Sequence, residues 1–133
     1  DAAIADVIMA RAAASGPMLI HAVTIENHGP WPADESGSGG RVSRAYLDLV
    51  ARGDAMLTRL LAELAQLRRP CLLLFYGDHR PSIPGAVLPG GDRHTPFVLV
   101  KLAGDGTPMA RPGPALDLTP ADLNQVLQAA ITA

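Results

Sequence analysis

The chain has 133 residues, 48% of them hydrophobic and 18% charged, with 11 basic and 13 acidic side chains for a formal net charge of −2. That is enough for one modest domain with a real core, which excludes a disordered tail and leaves no room for a second full domain. The signs are interspersed without a basic block, and two Phe, two Tyr and one Trp give few stacking platforms, so nucleic acid is not expected as a partner. The single cysteine, Cys71, stands beside Leu72, Leu73 and Leu74 and reads as a small buried hydrophobe. No apolar run approaches the roughly twenty residues needed to span a bilayer, and Asp1 followed by alanines lacks the regions of a signal peptide. Starting on Asp1 rather than Met, the chain is expected to be a piece of a longer protein.

Asp1 to Ala14 is alanine-rich with Ile4, Val7 and Ile8 at helical spacing, and Ser15-Gly16-Pro17 supplies the stop. Met18 to Ile25 is mostly apolar and β-branched, which predicts a buried strand. Glu26 to Gly40, with His28-Gly29-Pro30-Trp31-Pro32 and a Ser/Gly-rich tail, reads as a surface loop. From Ser43 to Arg69, Tyr46, Val50, Leu57, Leu60, Leu61, Leu64 and Leu67 recur at helical spacing, with Arg52, Arg59, Glu63 and Gln66 on the other side. Gly53 interrupts this helix, so a bend or a close contact is expected there. Asp54 lies near the stripe and is either a buried carboxylate with a polar partner or a boundary residue facing solvent.

Pro70 closes the helix, and Cys71 to Tyr76 follows as a wholly apolar strand buried on both faces. A Pro/Gly-rich loop from Pro81 to Gly91 leads to a third strand, Phe97 to Leu102. Thr119-Pro120-Ala121-Asp122 then carries a capping hydroxyl, Pro at the first helical position and a carboxylate in the first turn, the start signal of a last helix. The order helix, strand, helix, strand, strand, helix predicts an α/β fold: a partial sheet of mostly parallel strands with helices on both faces. Three strands make a thin sheet, which points to partner strands outside this chain.

Tyr76-Gly77-Asp78-His79-Arg80-Pro81 falls at the carboxyl end of a predicted buried strand, where open α/β sheets place their ligand sites. Asp78 offers a hard oxygen and His79 an imidazole nitrogen, a mixed set that suits zinc or manganese, with magnesium also compatible. The plainer alternative has Asp78 capping a turn and His79 merely exposed. Thr24 to Trp31 also ends a predicted strand, and parallel strands would put His28 on the same rim as Asp78 and His79. His28 could hold a phosphate oxygen or assist a leaving oxygen, or it could be a loop histidine packed on Trp31. Arg80 has the fork that matches a phosphate but could equally brace its loop. His94, in Asp92-Arg93-His94-Thr95-Pro96, could add a ligand or a substrate contact.

The segment VTIENHGPW at 23–31, followed about fifty residues later by LLLFYGDHRPS at 72–82, resembles the sulfatase-like branch of the alkaline phosphatase superfamily, where lipoteichoic-acid-synthase-type phosphoglycerol transferases fall. The resemblance runs from Met18 to about Leu102. It implies that Asp78 and His79 bind a catalytic divalent metal and that His28 contacts the transferred phosphoryl group, with Arg80 and His94 as secondary, substrate-side candidates. It also implies that residues 1–133 are the C-terminal portion of the catalytic domain. The acidic ligand and the threonine or serine nucleophile would then lie in an N-terminal half absent here, and none of Thr24, Ser36, Ser38, Ser43 or Thr95 takes the nucleophile's role. Two protein ligands hold a metal weakly, so the chain alone is expected to be inactive.

The activity implied is phosphoryl-group transfer or phosphodiester hydrolysis in capsule or cell-envelope polymer synthesis, on a phosphorylated lipid or glycan. The family's usual placement is a membrane-anchored protein with an extracytoplasmic catalytic domain. The alternatives are a sulfuric-ester hydrolase of the same superfamily, a non-catalytic envelope-assembly module that has kept the fold, and a self-contained small domain without metal.

Overall fold

The computed structural model describes residues 1–31, 40–83, 91–109 and 115–132, with the backbone alone for 40–43. Its elements are α1 (Ala2–Ala12), α2 (Gly40–Gln66), β1 (Cys71–Tyr76), β2 (Phe97–Leu102) and α3 (Pro120–Thr132). They fall into two compact units, residues 1–63 with 81–93 and residues 64–80 with 94–133, and α2 runs from the first into the second.

In the first unit, α1 turns Ala5, which is fully buried, and the half-buried Ile4, Ile8 and Met9 inward, while Val7 stays exposed. Arg59 on α2 ties the two helices together. Its Nη2 donates to Asp6 Oδ1 at 2.6 Å and its Nε to Glu63 Oε1 at 2.7 Å. The Glu63 and Asp6 carboxylates hold this guanidinium firmly in its charged form. As an exposed network it sets geometry more than stability.

The buried face of α2 runs through Tyr46, Leu49, Gly53, Leu57, Leu60 and Leu64, at spacings of three and four, and Val50 is displaced to the exposed side. Gly53 is buried because Asn27 lies against it; a Cβ there would stand 3.6 Å from Asn27 Nδ2. The expected close contact is therefore present. Asp54 is exposed, the solvent-facing alternative of the two.

In the second unit β1 and β2 form an antiparallel pair, with Cys71 opposite Leu102 and Tyr76 opposite Phe97. This corrects the expectation of parallel strands. A parallel pair needs a crossover over the sheet. Here the connection instead returns to the end of the strand it left, where Gly77 N donates to the Pro96 carbonyl at 3.1 Å. β1 is half-buried rather than covered on both faces. Cys71 is half-buried too, and burial pushes its thiol pKa up.

Beyond β2 the chain reverses. Gly106 N donates to the Ala103 carbonyl at 2.9 Å, and Met109 N donates to Lys101 O at 2.8 Å. Asp105 Oδ1 accepts from Thr107 Oγ1 at 2.6 Å and Thr107 N at 2.9 Å, which holds its carboxyl below the usual range. Gly106 has φ +85°, and a Cβ there would strike the Ala65 carbonyl oxygen, so glycine is required twice over. α3 packs on β1, with Leu123, Val126, Leu127 and Ala130 half-buried along one stripe, and is anchored at its far end by Lys101 Nζ donating to Ala130 O at 2.9 Å. Its start is a reciprocal cap: Asp122 N donates to Thr119 Oγ1 at 3.2 Å, and Thr119 N donates to Asp122 Oδ2 at 3.1 Å.

Met18 to Ile25 forms no strand, a second correction. A strand exists through a neighbour's ladder, and the strands among the described residues pair with each other. Leu19 is left 90% exposed, with Val23 and Ile25 also largely in solvent. The loops expected over 26–40 and 81–91 lie partly outside the described residues, and their described parts carry no helix or strand before Gly40.

Gly106→Ala is expected to lower unfolding free energy by more than about 1 kcal/mol in chemical denaturation, since both φ and space oppose it. For α3 the sign follows from Asp122, whose carboxyl is held low by the Thr119 hydroxyl and then its backbone N–H. A depressed folded pKa contributes stability above the unfolded carboxylate range and loses it as pH falls through the folded value. Far-UV circular dichroism should therefore show α3 fraying in acid, and Thr119→Ala should flatten that acid-dependent step while lowering helicity at neutral pH.

Candidate functional site

Asp78 and His79 stand just past the end of β1, where Gly77 finishes the ladder. Gly77 serves there by lacking a side chain rather than by an unusual φ, because a Cβ would come within 3.2 Å of Thr95 Cβ. That closeness lets Thr95 Oγ1 donate to the Gly77 carbonyl at 2.5 Å. The base of the turn is thus clamped from the start of β2.

Above the clamp, Asp78 Oδ1 accepts the His79 N–H at 2.9 Å, so the turn-capping alternative for Asp78 is realised. Its other oxygen, Oδ2, lies 3.7 Å from His79 Nε2, with both side chains well exposed. His79 Nδ1 meets the Arg80 carbonyl oxygen at 3.0 Å. A carbonyl only accepts, so Nδ1 carries the proton and, in the neutral ring, Nε2 carries the lone pair on the side of Asp78. A carboxylate oxygen and an imidazole lone pair at that separation fit within the roughly 4 Å spanned by two metal–donor bonds of about 2.0–2.2 Å. The pair fits a borderline divalent ion as two donors of a larger set; among the described residues no group of three His, Cys, Asp or Glu converges.

His28 belongs to the first unit and Asp78 and His79 to the second. His28 is exposed in a turn closed by its own N–H donating to Ile25 O at 3.0 Å. Its Nδ1 donates to the Gly29 carbonyl at 2.8 Å, which again leaves Nε2 with the lone pair when neutral. The Gly29-Pro30 bond is cis, and a Cβ on Gly29 would lie 3.1 Å from the Trp31 ring. Trp31 in turn meets Tyr46 of α2 edge to face, with centroids 5.6 Å apart at 83°.

These residues wall a cleft of about 380 Å³ lined by Glu26, His28, Trp31, Asp48, Leu49 and Arg52, among others. Glu26 is held low by the Asp1 amino group at 2.6 Å and then by Arg52 at 3.5 Å. Asp48 and Arg52 were not singled out by the sequence reading. Their signal was available, as a carboxylate and a guanidinium one helical turn apart on α2. Arg80 and His94 are both exposed, on either side of the second unit's clamp.

The sulfatase family model matches residues 1–113. The chain belongs to the sulfatase family. That places it in the alkaline phosphatase superfamily, which generally uses divalent metal ions, and it implies an α/β fold. A capsular polysaccharide biosynthesis protein, RkpI, of Rhizobium meliloti (strain 1021) is 35% identical over 80 residues. The aligned stretch is 60% of this chain and 15% of that relative's length. No solved structure matches the chain.

The clamp gives a direct check on how the site is supported. Thr95→Val keeps the shape and removes the bond to Gly77, and it should cost about 1 kcal/mol in denaturant unfolding.

Proposed function

We propose that this chain is the C-terminal portion of a divalent-metal-dependent phosphoryl-group transferase of the phosphoglycerol type, or a phosphodiester hydrolase, acting in capsule or cell-envelope polymer synthesis. The observation that carries the reading is the Asp78–His79 pair at the end of β1, with Oδ2 and Nε2 3.7 Å apart in a sulfatase-family chain. The link to capsule polymers is supported by the printed role of the Rhizobium relative.

Asp78 and His79 hold manganese or zinc, and the Arg80 carbonyl fixes the His79 tautomer that ligation needs. Such an ion, when bound, would supply charge neutralisation and ease deprotonation of the attacking hydroxyl. That hydroxyl and the remaining acidic ligand come from the N-terminal half of the same domain. His28 contacts the transferred phosphoryl group: with Nδ1 committed to Gly29, protonation at Nε2 turns the ring into a donor to a phosphoryl oxygen. Arg80 and His94 contact the phosphorylated lipid or glycan substrate. The proposed setting is an extracytoplasmic domain of a membrane-anchored protein; no described helix is long and apolar enough to cross a membrane.

The family description also accommodates a sulfuric-ester hydrolase. Assaying the full-length parent with bis(nitrophenyl) phosphate and with nitrophenyl sulfate separates the two. For the chain itself, calorimetric titration with Mn²⁺ and Zn²⁺ should give weak binding without turnover, reduced more than about tenfold in Asp78→Ala and in His79→Ala. Equal binding in all three proteins would overturn the metal role, and turnover by the chain alone would overturn its being a portion of the site.

A further inference from the structure

We infer that the cleft beside His28 is a subsite for a neutral sugar ring, the hydroxyl-bearing part of the substrate or acceptor; this rests on the proposed phosphoryl role of His28. Four observations bear on it. The volume, about 380 Å³, sits at the small end of ligand pockets and suits a single ring rather than a chain.

One wall is Trp31, fixed edge to face by Tyr46 and crowded from behind by Gly29, so its ring is a rigid apolar platform. Its Nε1 is buried with no hydrogen-bond partner among the described residues, as is Asn27 Oδ1 four residues earlier. Orphaned polar atoms of this kind mark a place where the fold has kept chemistry at a cost in stability.

Another part of the lining is α2, which brings Asp48 and Arg52 to the cleft, while Glu26 enters from the loop. Carboxylate oxygens accept and guanidinium N–H groups donate, so the pair of types reads a hydroxyl in both directions. Glu26 is paired with the Asp1 amino group at 2.6 Å and with Arg52 at 3.5 Å, and Asp48 adds a further carboxylate, so the lining presents no excess of cations to draw a phosphate past His28. An apolar face with hydroxyls around its rim is the chemistry of a pyranose, and it matches an aromatic platform edged by charged groups.

The chain's one tryptophan is Trp31, so its emission reports this cleft and nothing else. Titrating the 133-residue chain with methyl α-glucoside and methyl α-galactoside should give a saturable emission change for at least one, with Kd on the order of millimolar, the range for about a dozen heavy atoms. Asp48→Asn should weaken the response about tenfold by removing one charged acceptor, with circular dichroism recorded beside it. Arg52→Gln, on the exposed side of α2, is the second variant should the first not fold. No saturable change with either glycoside would overturn the subsite, as would an unaltered response in folded variants. Asp78→Ala should leave the glycoside response intact. A glycoside response alongside metal binding that is equal in the unaltered, Asp78→Ala and His79→Ala chains would sink the proposed function and leave the subsite standing, and the converse would sink the subsite alone.

Discussion

The antiparallel ladder between Cys71–Tyr76 and Phe97–Leu102 is the constraint on which the second unit rests. Its register decides that Gly77 meets Thr95 and Pro96, and that meeting aims Asp78 and His79 off the end of β1. The same ladder gives α3 a surface to pack on and puts Lys101 under the last turn of that helix. A one-residue slip would turn every apolar side chain to the other face and move Thr95 out of reach. The metal-binding pair is thus only as well placed as the strand pairing behind it.

In the first unit the comparable role falls to α2. Its inward face is not a continuous apolar stripe but one interrupted by Gly53, where Asn27 presses in. That contact brings the His28 loop down onto the helix, and the Trp31–Tyr46 pair pins it about two turns earlier. Loop residues carry function when a rigid element positions them, and here the element supplies both the support and half of the cleft wall.

Local signals were legible in the sequence where local physics decides the outcome. The cap at Thr119 and Asp122, the breaks at Gly16 and Pro70 and the apolar strands at 71–76 and 97–102 all depend on near neighbours in the chain, and all stand where composition put them. The position of Asp78 and His79 at a strand end was legible for the same reason. Strand direction was not, because it depends on how the 77–96 connection closes, and Thr95 clamping Gly77 leaves no periodic trace. Met18 to Ile25 has a strand's composition without a ladder to join, and composition alone cannot supply the partner. The Glu26, Asp48 and Arg52 cluster was missed because it joins a loop to a helix across twenty residues of separation or more.

The bare apolar run from Met18 to Ile25 carries no Asp, Glu, Lys, Arg or Pro. Such residues are the gatekeepers that keep hydrophobic, β-branched windows from pairing with copies of themselves. Here that safeguard is missing around Leu19, the most exposed of the described large apolar side chains. The colloidal behaviour of the isolated chain is therefore governed by eight residues that contribute little to its own core.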